Sequence, residues 1–320
     1  VAQQVTIPGD TRVTMVLQWD DPYFSVSGAP GANTDLDLFV YQANGTTVAA
    51  SSIDNNNGGD PVEILTFTTV SGPAKTYHIS IEHFSGPSPG TIKYVHYGGI
   101  SLQEHVTSSS TLYGHANAGG AVALGAARYT QTPAYGVTPP VIESFSSSGG
   151  TPILFDTAGN PVNIIRDKPE IVAPDGGDNT FFGFDYEGNS FPNFFGTSAA
   201  APHAAGVAAL FKQMDINMTP ATITTAMIST AIDMSTAGFD YKTGHGLLQA
   251  DAALAFIDAD ADGIFNNDDN CPDISNPLQD DFDNDGSGDA CDEDDDNDGL
   301  TDTDESTLYF TNPFNPDSDG

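Results

Sequence analysis

Residues 193–211 read NFFGTSAAAPHAAGVAALF, and the fold turns on how this stretch is read. One serine, Ser198, follows a Gly-Thr pair and opens a long alanine-rich run. Alanine is the strongest helix former, so the stretch predicts a helix from Ser198 to Met214. A serine at a helix N-terminus is either a cap for the unpaired N–H groups or a nucleophile. The surrounding sequence has to separate the two.

Outward from that helix, residues 99–257 are rich in Gly and Ala. GGAVALGAA (119–127) and KPEIVAPDGG (168–177) are short apolar runs closed by glycine or proline, the pattern of buried parallel strands. PATITTAMISTAID (220–233) predicts a second helix, with Thr219 as N-cap and Pro220 at the first helical position. Strands alternating with helices predict an α/β sheet.

Residues 1–98 have a different texture. TRVTMVLQWD, TDLDLFVYQ, VEILTFTTV, TYHISIEHF and TIKYVHYGG are short β-branched and aromatic runs separated by Gly, Pro and Asn clusters. They predict a β-sandwich or jelly roll with Trp19 in its core. Asp20, Asp21, Asp35 and Asp37 allow two readings, a shared calcium ion or strand-end and turn aspartates.

Charge sets residues 258–320 apart. The 320-residue chain has 44 Asp and Glu against 8 Lys and Arg, a formal charge of -36. Residues 258–320 hold 22 of the acids and no Lys or Arg. Such a field excludes nucleic acid and anionic membranes as partners. There is no signal peptide and no apolar run of roughly 18 residues, so no transmembrane segment is expected. The chain opens on VAQQVTIPGD without methionine and closes on NPDSDG, which reads as a portion of a longer protein.

An acidic block is either a solvating tail or a cation-binding module, and spacing decides between them. DADADGIFNNDD from Asp258, DFDNDGSGDACD from Asp281 and DDDNDGLTDTDE from Asp294 each place Asp at positions 1, 3 and 5, Gly at 6 and an acid at 12. DSDG from Asp317 is a further partial copy. That spacing wraps oxygen ligands round one Ca2+, with position 7 offering a carbonyl. The candidate ligands are Asp258, Asp260, Asp262, Ile264 and Asp269; Asp281, Asp283, Asp285, Ser287 and Asp292; and Asp294, Asp296, Asp298, Leu300, Asp302 and Glu305. The third loop fits an EF-hand-like pattern at every ligand position.

GTSAAAPHAAG (196–206) closely resembles the nucleophile signature of the subtilisin-like serine proteases, through Gly196, Thr197, Ser198, Ala200, Pro202, His203 and Gly206. Four further landmarks stand in family order: GHANAGGAVALGAA, IESFSSSGG, KPEIVAPDGG and GHGLLQADAAL. The resemblance implies peptide-bond hydrolysis of a protein or peptide substrate, with Ser198 as catalytic nucleophile.

The family's HGT-type histidine motif is absent, since none of His78, His83, His96, His105, His115, His203 and His245 precedes Gly-Thr. FDTAG at Asp156 resembles the D-[ST]-G aspartate motif faintly and in the wrong chain order. The A-G-N-x-G context of the oxyanion asparagine is absent as well. The expectation is that these groups lie upstream of Val1, that the sandwich interrupts the protease domain, and that this chain alone is inactive. The alternative is a non-catalytic, calcium-stabilised adhesion or spacer protein with a degenerate protease fold.

WDDPYF…TDLDLFVY resembles the small pre-peptidase-type sandwiches attached to secreted bacterial proteases. DADADGIFNNDDNCPDISNPLQDDFDNDGSGDACD resembles thrombospondin type 3 repeats. That kinship implies calcium-wrapped loops with almost no hydrophobic core, a disulfide between Cys271 and Cys291, a secreted or cell-surface location, and scope for contact with a cell surface or matrix. The expected architecture is multidomain: a β-sandwich or jelly-roll insertion at 1–98, a partial α/β subtilisin-like domain at 99–257, and a coreless calcium-wrapped repeat tail at 258–320.

Overall fold

The computed structural model describes residues 2–104, 110–181, 183–266 and 268–317. His105, Asn267 of the first acidic loop and the last three residues of DSDG lie outside them. The chain forms two compact units, Val1–Ser109 with Thr151–Arg166, and Ser110–Gly150 with Asp167–Gly320. Residues 99–104 and 151–166, which the sequence groups with the second region, pack in the first unit.

The first unit is built from β1 (Ala2–Ile7), β2 (Arg12–Trp19), a helical turn α1 (Phe24–Ser27), β3 (Asp35–Gln42), β4 (Val48–Ser52), β5 (Val62–Thr68), β6 (Lys75–Ser85), β7 (Ile92–Tyr97) and β8 (Ser101–Leu102). One sheet runs β4-β3-β6-β1-β8 and the other β5-β2-β7. All of these pairings are antiparallel. Period-2 alternation sends Val13, Met15, Leu17 and Trp19 of β2 and Leu36, Leu38 and Val40 of β3 into one shared core. Strands β1, β4 and β8 escape a sequence reading because they are short or half polar. β5 carries an anomaly: Glu63 lies on the same face as Leu65, opposite Leu17 in register, and is 1 % exposed.

Three of the four sandwich aspartates accept hydrogen bonds at turns and strand ends, and Asp37 lies within β3. Asp21 accepts from Trp19 Nε1 at 3.2 Å and from the Asn33 and Thr34 amides at 3.1 and 2.8 Å. Asp20 accepts from the Gly90 amide, and Asp35 from the Asn56 amide. Among the described residues, groups of three acids within 4.8 Å of one another gather in the acidic loops, and the two readings of the quartet stay open.

In the second unit β9 (Leu124–Arg128) pairs with a later strand, after the chain has passed through the hairpin β10 (Ile153–Phe155) and β11 (Pro161–Ile164) of the first unit. Asp156 closes that hairpin, accepting from the Ala158 and Asn160 amides at 2.8 Å each and from Asn160 Nδ2 at 2.9 Å. It is a turn residue.

β12 (Ile171–Asp175) then lies parallel to β9, with Ala126 opposite Ala173. A short antiparallel pair, β13 (Gly177–Asp178) and β14 (Asn193–Phe194), leads into α2 (Thr197–Met214). Ala200, Ala204 and Phe211 of α2 share a core with Ala126, Ile171 and Ala173. Small side chains let the helix lie close to the strands, and larger ones would cost about 1–3 kcal/mol each.

α3 (Pro220–Ser229) starts as the sequence predicts, with the Thr219 hydroxyl accepting from the Thr222 amide at 3.1 Å. α4 (Ala250–Ala255) follows. Beyond it the described chain is mostly turns. Cys271 and Cys291 form a disulfide across a sequence separation of 20.

Candidate active serine and candidate metal centres

Ser198 sits exposed in the first turn of α2, just past the C-terminal end of β12. The bend before it depends on Gly196, whose φ of 130° lies in the region that side chains disfavour. The Gly196 amide donates to Asp175 Oδ2 at 2.7 Å, tying the approach to Ser198 to the last residue of β12. The Gly196 carbonyl in turn accepts from the Ala199 amide at 2.8 Å. The helix is capped by Gly196, which has no side chain to cap with, and the Ser198 hydroxyl has no hydrogen-bond partner among the described residues. The helix start also supplies the positive end of a dipole beside that hydroxyl.

Asp175 is fully buried, and its Oδ1 has no hydrogen-bond partner among the described residues. Burial pushes its carboxyl above the ordinary range, opposed by the Gly196 amide and the charges of Arg128 and His203. Arg128 stands opposite Asp175 in the β9–β12 register and lies 4.9 Å over the Phe195 ring.

Of the described histidines of this unit, His115 is exposed in a short helical turn, Gly114–Asn117, while His203 and His245 have contacts of their own. His203 Nδ1 bonds to the Ala199 carbonyl at 2.8 Å, so it packs on its own helix. His245 lies 5.5 Å from the Phe239 ring.

The acidic loops repeat one geometry. Asp258, Asp260 and Asp262 bring one carboxylate oxygen each within 4.8 Å of one another; so do Asp281, Asp283 and Asp285, and so do Asp294, Asp296 and Asp298. The first aspartate of each loop accepts from the glycine amide five residues on, at 3.2, 3.2 and 3.0 Å. Gly263, Gly286 and Gly299 have φ of 96°, 102° and 96°, making the sharp turn. The carbonyls of Ile264, Ser287 and Leu300 accept no hydrogen bond among the described residues.

These bonds leave specific oxygens over. Asp258 Oδ1, Asp260 Oδ2 and Asp269 Oδ2 in the first loop are buried without a partner. So are Asp294 Oδ1, Asp296 Oδ2, Asp298 Oδ2 and both Glu305 oxygens in the third. Burial pushes the Glu305 carboxyl above its usual range, opposed by the Thr311 side chain and reinforced by the charges of Asp296, Asp298 and Asp302. An unpaired buried carboxylate costs several kcal/mol, so clustered ones fit a hard cation.

The second loop is more open. The Asn297 amide group donates to Asp283 Oδ2 at 2.5 Å and Asp285 Oδ2 at 3.4 Å. Asp292 accepts from the Asp294 amide at 3.1 Å and lies near Asp295.

Residues 95–246 match the profile of the Subtilase family, and residues 257–279 and 280–305 match the Thrombospondin type 3 repeat. The chain carries a subtilase segment joined to thrombospondin type 3 repeats. Its relatives include the subtilisin-like protease SBT2.4 of Arabidopsis thaliana, 38% identical over 105 residues, covering 31% of this chain and 12% of that protein. Mouse (Mus musculus) thrombospondin-2 is 59% identical over 76 residues, covering 20% of this chain and 6% of that protein. Among solved structures, the CspB protease of Clostridium perfringens is similar at 15% identity and a TM-score of 0.46, covering 80% of this chain and 54% of that one. The matched stretches thus span about an eighth or less of the curated relatives' length.

Two residues of the subtilase and repeat segments carry more than their sequence context announces. Asp175 stands in the subtilase strand as an ordinary acid between Pro174 and Gly176, and its partner Gly196 is 21 residues away. Asp295 occupies position 2 of the third loop, a place the ligand spacing leaves unassigned. It is 5 % exposed, and burial together with Asp302 pushes its carboxyl up to about 7. No helix among the described residues is long and apolar enough to cross a membrane.

Proposed function

We propose that these residues belong to a secreted, calcium-binding serine endopeptidase in which Ser198 attacks the scissile carbonyl of a protein or peptide substrate. The observation that carries this reading is the exposed, unpaired Ser198 hydroxyl at the start of α2, on a bend pinned by the Asp175–Gly196 bond. Ser198 Oγ passes its proton to a histidine base and forms an acyl-enzyme, which water then hydrolyses. The histidine, its aspartate and the oxyanion asparagine come from sequence outside these 320 residues, and the sandwich is an insertion within the protease domain. The amides at the α2 N-terminus face the region where negative charge develops on the carbonyl oxygen.

In the same reading Asp258, Asp260, Asp262, Asp269 and the Ile264 carbonyl hold one Ca2+. Asp281, Asp283, Asp285 and the Ser287 carbonyl hold another, with Asp292 nearby. Asp294, Asp296, Asp298, Asp302, Glu305 and the Leu300 carbonyl hold a third. Support comes from buried carboxylate oxygens left without partners among the described residues, at positions 1, 3 and 12 of the first loop and 1, 3, 5 and 12 of the third, and for the second loop from the shared Asp281, Asp283 and Asp285 geometry. Calcium supplies there the charge that lets these carboxylates stay ionised together.

Hydrolysis of casein by the natural protein that contains these residues, with and without Ser198→Ala, tests the catalytic half. Loss of turnover in a folded variant is expected, and unchanged turnover would remove Ser198 from the chemistry.

A further inference from the structure

Within the first unit, the core row of β5 ends on Glu63. Strand alternation gives its neighbours on that face, Leu65 and Phe67, to the sandwich core. Glu63 is 1 % exposed, and neither of its carboxylate oxygens has a well-formed hydrogen bond. The charges acting on it, Asp54 and Asp37, are both negative, and with burial they push its carboxyl upward against the Ser52 and Asn56 side chains. A lone carboxylate held inside an apolar core demands a counter-charge or a proton.

The loop between β4 and β5 is arranged to supply more oxygen. Asn56 is 6 % exposed. Its side-chain amide donates to the Asp60 and Val62 carbonyls at 3.1 Å each, and its backbone amide to Asp35 at 3.3 Å. These bonds fix the residue and use every donor it has. Asn56 Oδ1 remains buried without a partner. Ser52, the buried last residue of β4, brings a hydroxyl to the same carboxylate. Two separate side chains, each more than nine-tenths buried, thus carry oxygens unpartnered among the described residues, and the Asn56 bond to the Val62 carbonyl sets it beside Glu63.

We propose that Glu63, Asn56 Oδ1 and the Ser52 hydroxyl form a calcium site inside the β-sandwich, with Asp54 at its mouth. An all-oxygen set of one carboxylate, one amide carbonyl and one hydroxyl matches a hard cation, and water completes the six to eight ligands that calcium takes. Magnesium fits less well, because it requires a tighter octahedron and gives up its waters reluctantly. The site is separate from the acidic loops, with Asp35 bonded to the Asn56 amide and the Asp37 charge acting on Glu63.

Trp19 is the chain's one tryptophan and lies 5 % exposed in the sandwich core, so its fluorescence reports this unit. The test is thermal unfolding of the whole 320-residue chain, followed at Trp19 after chelation and again with calcium restored. Calcium at ~100-fold over its dissociation constant should raise the wild-type midpoint by about 5 °C or more. Glu63→Gln keeps the acidic loops intact and should abolish that shift. A wild-type midpoint indifferent to calcium would overturn the proposal and leave Glu63 a neutral buried acid. An equal shift in Glu63→Gln would overturn it too, by tracing the effect to the acidic loops. Should Glu63→Gln not fold, Ser52→Ala decides: a half-response at ~10-fold more calcium supports the site, and a wild-type response refutes it.

Discussion

Asp175, the last residue of β12, accepts a hydrogen bond from the Gly196 amide at 2.7 Å, two residues before Ser198. The bond joins the strand end to the turn that presents the serine. It also uses one of two carboxylate oxygens buried in the protein interior. Asp175→Ala should destabilise the second unit by about 1–3 kcal/mol, the cost of a buried donor left unpaired. Urea unfolding followed by far-ultraviolet circular dichroism measures this. A change within error would show that the turn holds without the bond.

Asp240 gives a pH signature. The Ser235 and Thr243 hydroxyls donate to it at 2.6 Å each, and the Lys242 and Thr243 amides at 2.7 and 2.9 Å. Burial alone would raise its carboxyl, but these donors win and hold it near 2 against an ordinary 3.8. The folded value is depressed, so the stabilisation is present above about pH 4 and is lost as pH falls towards 2. A difference of nearly two pH units corresponds to at most about 2 kcal/mol, and solvent screening of this partly exposed group reduces it. Asp240→Asn should be less stable than wild type by about 1–2 kcal/mol at pH 7, with the gap closing towards pH 2. A gap independent of pH would assign the effect to shape rather than charge.

The Cys271–Cys291 disulfide closes a loop with a sequence separation of 20 in a segment with little apolar packing. In the chain-entropy account such a closure contributes roughly 3 kcal/mol. Thiol titration of denatured, unreduced protein should find no free thiol. Reduction should lower the segment's unfolding midpoint, and two free thiols in the unreduced protein would contradict the oxidised, extracellular setting.

Removing calcium should unfold the acidic loops. Their carboxylates outnumber any local counter-charge, because residues 258–320 have no Lys or Arg, so binding free energy becomes folding free energy. Calorimetry should count at least one ion per loop. Glu305→Gln should weaken the third site most, since both Glu305 oxygens are buried and otherwise unpaired. A circular dichroism spectrum unmoved by chelator would return the block to a solvating tail.

Much of this was legible in the sequence because the signals are local. The alanine run gave α2, the Gly-bounded apolar runs gave β9 and β12, and Asp spacing gave the three loops. Thr219 announced its own cap. The unread parts depend on partners distant in sequence. Asp175 meets Gly196 across 21 residues, and Glu63 faces the core because β5 pairs with β2 in a register that places it opposite Leu17. Asp295 has the same formula as Asp294 and Asp296, so its coupling to Asp302 is invisible in the sequence. The hairpin at 153–164 joins the first unit through contacts that no period in its own sequence encodes.

The central claim is that Ser198 is a nucleophile whose base lies outside these residues. A fluorophosphonate probe applied in parallel to the natural protein containing this chain and to the 320-residue chain alone tests it most directly, with peptide mapping of the label. One label per molecule on Ser198 is expected in the former, none in its Ser198→Ala variant, and none in the isolated chain, because losing the base costs orders of magnitude in rate. Rapid stoichiometric labelling of the isolated chain, or labelling that survives Ser198→Ala, would contradict it.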